Sequence, residues 1–220
     1  MRRLSPLFSI IFIVVACVPQ SVPADVDAEI VMVYADVFSD EALTSLYTCA
    51  ERSPELLLSR TPNIDSANII LSITPPAGID AVPYQVGDVE FVLAVNGQNP
   101  LGELNKVDVQ DIYTGRVHRW EELGWDDAPI NLWVYSAEVG LYESILGSGS
   151  LSSLAYQAQN PGAMRGFIQN DAYAIGFLPR SHINENLHII PAETFRYPVL
   201  FYMPKDEGSL KYLAVCVQSH

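Results

Sequence analysis

Apolar residues in this chain fall into two alternating textures: short unbroken runs, and stripes with a period of three to four residues. The runs at Ala28–Tyr34, Glu55–Ser59, Ala67–Ile73 and Glu90–Val95 predict strands, because branched residues bounded by breakers suit a buried extended segment. After the first run, Leu43, Leu46 and Tyr47 share a face and predict a helix over Glu41–Arg52, capped by Ser39 or Asp40. Pro75-Pro76 ends the third strand. Asn96-Gly97 and Asn99-Pro100 end the fourth. Further on, Val107–Tyr113 predicts a short helix stopped at Gly115, and His118–Leu123 another turn or two. Ile130–Tyr135 reads as a strand. Val139–Leu146 and Leu151–Gln159 read as helices around a flexible Gly147-Ser148-Gly149-Ser150. Ala163–Gln169 is a helix behind Pro161-Gly162, and Ala172–Leu178 a strand. The tail gives strands at Leu187–Ile190 and Pro198–Met203 and a helix over Ser209–Gln218. This rhythm points to an α/β layer with parallel strands, and no segment repeats.

The first residues follow a different logic. Arg2 and Arg3 precede Leu7–Val15, which is apolar but for Ser9, and Val14-Val15-Ala16 leads into Cys17. The apolar run is about half of the ~20 residues a membrane span needs, so it reads as a cleaved secretory signal. The end of the run resembles the lipobox of bacterial lipoproteins. That resemblance implies cleavage before Cys17, lipidation of Cys17 and a lipid-anchored place in the cell envelope, outside the cytoplasm. An ordinary signal with an incidental cysteine is the alternative. Residues 1–16 are then a signal peptide and residues 17–26, with two prolines, a tether.

Export changes how charge and cysteine are read. The formal charge is −14, and losing Arg2 and Arg3 with the signal takes it to −16. So negative a chain has no electrostatic footprint for nucleic acid or for an anionic membrane surface. It fits a monomer that meets the membrane only through its anchor. With Cys17 lipidated, Cys49 and Cys216 remain, both on predicted helices. They form either a disulfide, which export permits, or two buried thiols.

Residues 91–125 (FVLAVNGQNPLGELNKVDVQDIYTGRVHRWEELGW) carry the most information. A strand runs into Asn99-Pro100, an amphipathic helix follows, then Ile112-Tyr113-Thr114-Gly115, then Trp120. Asp127-Ala128-Pro129-Ile130 leads into the next strand. Asn160-Pro161-Gly162-Ala163 and Ala174-Ile175-Gly176-Phe177 come later. Over residues ~85–180 this order resembles the phosphate-type substrate-binding proteins of ABC transporters. It implies an α/β chain with the two-lobed type II periplasmic binding protein fold, its mixed, mostly parallel sheets joined by two crossing strands. The lobes would be 27–92 plus 178–220, and 97–173, with crossings at 93–96 and 174–177. A small-molecule ligand would lie between the lobes, with an ABC permease as partner.

In that family a phosphate is gripped by helix N-termini, hydroxyls, an arginine and one acidic acceptor, and free N–H groups at helix starts suit an anion. Here Tyr135 stands where the arginine belongs. Val139 and Leu141 flank Gly140 where hydroxyls belong, and the acidic acceptor falls near Ile73. Asp36 and Glu138 add negative charge where an anion would sit. The polar candidates at the cleft are therefore Tyr34, Asp36, Ser39, Ser72, Thr74, Tyr135, Ser136 and Glu138, read against ordinary caps and turns.

Nothing in the sequence suggests catalysis, a cofactor or a metal. His118, His182, His188 and His220 are scattered, without metal-ligand spacing. Gly147–Ser150 lacks the G-x-S-x-G of a nucleophile elbow, and no glycine-rich nucleotide loop occurs. Two expectations follow for a non-enzyme. One is an ABC-linked carrier of a small ligand that is not phosphate. The other is a sensor or interaction module of the envelope on a degenerate binding fold.

Overall fold

A computed structural model describes residues 28–136, 140–203 and 210–219. The signal, Cys17, the tether, Glu138 and His220 lie outside these residues. Nine strands form one sheet in the order β2-β1-β3-β9-β4-β7-β5-β6, with β8 also pairing with β4.

The first half of the sheet is built from β1 (Glu29–Ala35), β2 (Leu56–Arg60), β3 (Ile69–Ser72) and β9 (Phe195–Tyr202). β1 buries Val31, Val33 and Ala35 on one face. Against that face packs α1 (Asp40–Ala50), whose Ala42, Leu43, Leu46, Cys49 and Ala50 form its apolar stripe. The second half holds β5 (Asn131–Tyr135), β6 (Tyr156–Ala158), α2 (Lys106–Thr114), α3 (Gly140–Leu146) and α4 (Pro161–Asn170). Asn105 and Asp108 close a capping box on α2, and Gly115 ends it at φ 77°, a backbone that glycine adopts without a Cβ clash. α4 starts in a similar way: Asn160 accepts from the Ala163 N–H at 2.9 Å, and Pro161 takes the first turn.

The two crossing strands are β4 (Tyr84–Asn96) and β7 (Ala174–Pro179). β4 pairs with β9 through its first half and with β7 through its second, both antiparallel, and Phe91 sits at the handover. Pairing is parallel at both wings, β2-β1-β3 and β7-β5-β6, and antiparallel around β4 and β9. Gly176 lets β7 approach α4 and β5, for a Cβ there would lie 3.0 Å from Met164 Sδ and from the Trp133 carbonyl. β8 (Leu187–Ile189) follows β7, and α5 (Lys211–Gln218) closes the chain against α1 and β4. Cys49 of α1 and Cys216 of α5 are joined in a disulfide, with Cα atoms 6.0 Å apart.

Three expectations need correction. Leu151–Gln159 is not a helix: residues 156–158 form β6, parallel to β5. Its apolar positions have helical spacing, but Leu151 and Leu154 are exposed. The ladder from β5 satisfies the backbone that a helix would have satisfied. Gly147–Ser150 is therefore a turn after α3 and no hinge between helices. The strand expected at Glu90–Val95 also begins earlier, at Tyr84, because β9 pairs along its polar first half.

Candidate functional site

β1 and β3 run side by side and parallel, with Ala35 opposite Leu71, so the turns that follow them leave the same sheet edge. Between these turns lies a cavity of about 280 Å³ whose lining includes Tyr34, Asp36, Phe38, Ser72, Ile73 and Thr74. Four of the sequence candidates, Tyr34, Asp36, Ser72 and Thr74, thus share one wall.

Asp36 organises that wall. One carboxylate oxygen accepts from the Phe38 N–H at 3.0 Å and from the Ser39 hydroxyl at 2.7 Å. The other accepts from the Ile73 N–H at 2.8 Å, across 37 residues of sequence. Ser39 therefore does not cap α1 with its side chain, as the sequence suggested: its buried hydroxyl is spent on Asp36. Ser72 and Thr74 are partly spent on each other. The Ser72 hydroxyl donates to the Thr74 carbonyl at 2.7 Å and accepts from the Thr74 N–H at 3.2 Å. No lysine or arginine lines this cavity among the described residues. Arg60 is not in the lining but donates to the carbonyl of Ala35, a lining residue, at 3.4 Å.

From the second half of the sheet, Tyr135 ends β5 and reaches the same region. Its ring meets that of Phe38 edge-on, with centroids 4.8 Å apart. Phe91 on the crossing strand completes the cluster, 5.3 Å from Phe38 and 6.3 Å from Tyr135. Phe38 and Tyr135 retain only 8% and 4% exposure. The Tyr135 N–H donates to the Tyr142 hydroxyl at 2.5 Å, while the Tyr135 hydroxyl has no partner among the described residues. Burial pushes the Tyr113, Tyr135 and Tyr142 phenols well above their ordinary value, so all three act as neutral groups. Ser136 follows, exposed, its N–H given to the Ala158 carbonyl at 3.0 Å.

Phe38 and Phe91 were absent from the sequence candidates. The available signal was a phenylalanine in a turn where polar residues are the rule.

A larger cavity, of about 500 Å³, also borders Phe38 and α1's first turn. Its lining includes the apolar Val86, Val89, Val199 and Val217 and the charged or titratable Asp40, Glu41, Asp88, Glu90, Arg180 and His182. Arg180 grips Glu90 through two bonds, at 2.8 and 3.2 Å, and that hydrogen bonding holds the Glu90 carboxyl below its ordinary 4.5. Burial lowers His182 from 6.5, aided by Arg165 and opposed by Asp40 and Glu41. No group of three or more His, Cys, Asp or Glu able to share a metal ion occurs among the described residues. No described helix is long and apolar enough to cross a membrane.

No protein-family model matches the chain. Solved structures do. One, from Clostridium perfringens with bound phosphate, bears the name of a phosphate ABC transporter substrate-binding protein. It is 18% identical with a TM-score of 0.76, over 86% of this chain and 93% of that one. An ABC-type phosphate transport receptor from Vibrio cholerae is 15% identical with a TM-score of 0.66, over 86% of this chain and 94% of that one. The regulatory domain of reduced OxyR from Pseudomonas aeruginosa is 12% identical with a TM-score of 0.62, over 88% of this chain and 98% of that one. Likeness at this identity reaches transport receptors and a regulatory domain alike, and it speaks for architecture alone. The chain has the two-lobed type II periplasmic binding protein fold.

Proposed function

We propose that this is a lipid-anchored, extracytoplasmic solute-binding protein of an ABC-transporter-like system, holding a small ligand other than phosphate between its lobes. It is a binder and not an enzyme. Lobe 1 would be residues 27–92 with 178–220, and lobe 2 residues 97–173, anchored through Cys17. The observation that carries this reading is the cavity at the ends of β1 and β3, on the lobe 1 side of the Phe38–Tyr135 contact. It is concave, polar in places and without a cationic side chain, and its one carboxylate already accepts three hydrogen bonds. Such a wall suits an uncharged ligand with hydrogen-bonding groups, because an oxyanion would meet Asp36 and find no arginine.

The test is a thermal-shift screen of the wild-type protein with sugars, amino acids, phosphate and other oxyanions. A solute present at 100 times its dissociation constant stabilises by about 2.7 kcal/mol. A shift with an uncharged solute and none with phosphate is the expected result.

A second reading is favoured by the Phe38–Tyr135 contact. With the lobes already joined by their own rings, the chain would serve as a sensor or interaction module of the cell envelope. Indifference to every solute would select this reading over transport.

A further inference from the structure

We infer that the turn after β1 and the end of β3 form an anion seat that the chain fills with its own Asp36 carboxylate. Asp36 is then the residue that excludes external oxyanions from the cavity at the ends of β1 and β3. The inference deepens the proposed function and rests on its placing the ligand at this cavity. Three donors converge on the two oxygens of one carboxylate: the Phe38 N–H at 3.0 Å, the Ser39 hydroxyl at 2.7 Å and the Ile73 N–H at 2.8 Å. A turn capped by its own aspartate would use the local pair alone. Here the second oxygen is bound by a separate strand end, 37 residues away, so the carboxylate is held as a bound anion would be.

The donors are poor at finding other partners. Phe38, Ser39 and Ile73 are all buried, and an unmet donor in such a place is costly. The cavity lined by Asp36, Phe38, Ile73 and Thr74 opens directly onto the seat, so a small anion could reach it if the side chain were absent. α1, eleven residues long, begins at the next residue but one after Phe38, and its N-terminal dipole favours negative charge there. Asp40 and Glu41 in that first turn partly offset this preference, so an external anion is expected to bind there weakly.

The test uses the full chain carrying Asp36→Ala. Its melting temperature is followed in sodium formate, acetate, phosphate and sulfate, against sodium chloride of equal ionic strength. The variant melts below the wild type in chloride. Formate or phosphate then raises it saturably by about 2–4 °C, and leaves the wild type unmoved. Asp36→Asn, whose amide still fills the seat, shows no such rise. An Asp36→Ala protein indifferent to every anion overturns the inference, and so does a wild type that responds as the variant does. If Asp36→Ala does not fold in chloride, refolding yield is the readout: recovery in formate supports the seat, and no recovery in any anion overturns it. Failure of the proposed function is read separately, on the wild type with uncharged solutes.

Discussion

The ring of Phe38 stands 4.8 Å from that of Tyr135, nearly perpendicular to it, and so joins the turn that opens α1 to the end of β5 on the opposite half of the sheet. Edge-to-face pairs add about 0.5–1.5 kcal/mol beyond the area they bury. Tyr135→Ala removes the ring from the Phe38–Phe91 cluster and is expected to cost about 3–5 kcal/mol in denaturant melts. Tyr135→Phe deletes a hydroxyl without a partner among the described residues, and is expected to leave stability unchanged or raise it. A marked loss from Tyr135→Phe would mean that the hydroxyl is bonded.

The Cys49–Cys216 disulfide spans 167 residues and fastens the last helix to the first. Closure of so long a loop restricts the unfolded chain, by about 5 kcal/mol in entropy models and less where strain intervenes. Changing both cysteines to alanine should lower the denaturation midpoint by a large step. It should leave in place the hydrogen bond from the Tyr212 hydroxyl to that of Ser53, which also ties α5 to the residues after α1. A midpoint that stays in place would contradict the assigned pairing.

Asn96 ends the crossing strand β4 and fastens it to α4. Its amide nitrogen donates to the Ile168 and Gln169 carbonyls at 3.2 and 2.9 Å, and its oxygen accepts from the Gln98 N–H at 2.9 Å. Asn96→Leu removes this donor from both helix-end carbonyls; the Ile168 carbonyl keeps the Asp171 N–H, so the main cost, about 1–3 kcal/mol, falls on the Gln169 carbonyl. The expected result is a loss of about 1–3 kcal/mol by urea melt.

The half-buried His182 makes stability depend on pH. The unfolded chain takes up a proton near 6.5, the folded one only at lower pH, because burial keeps the imidazole neutral. Between those values the unfolded state binds more protons, so stability falls as pH drops. Urea melts between about pH 7.5 and pH 5.5 should show this loss, and His182→Gln should flatten it. Glu90, held below 4.5 by Arg180, titrates outside that window. Its contribution is present above 4.5 and is lost as pH falls through its lower folded value. Equal slopes for wild type and His182→Gln would exclude His182 as the source.

Long apolar runs made most of the fold legible. β1, β3, β5 and β7 announced themselves because buried strands need unbroken apolar residues, and α2 because Asn105, Asp108 and Gly115 punctuate its ends. β6 misled, since Leu151, Leu154 and Ala155 have helical spacing yet the neighbouring strand β5 claims the backbone. The first half of β4 is polar and becomes a strand only through β9, a partner distant in sequence that no local pattern reveals. Asp36, Ser72 and Thr74 lie together because turns after adjacent parallel strands share an edge, an arrangement that strand order alone suggests. That Asp36 faces inward onto Ile73 depends on a tertiary hydrogen bond. That Phe38 meets Tyr135 depends on how the two halves are set, which a single chain's pattern does not encode.

The central claim is that the receptor architecture persists without an open seat for phosphate. Titration calorimetry of the wild-type chain with inorganic phosphate tests this most directly. The account predicts no saturable heat through millimolar phosphate, because Asp36 already occupies the donors that would greet it. One-to-one binding at micromolar phosphate would contradict it.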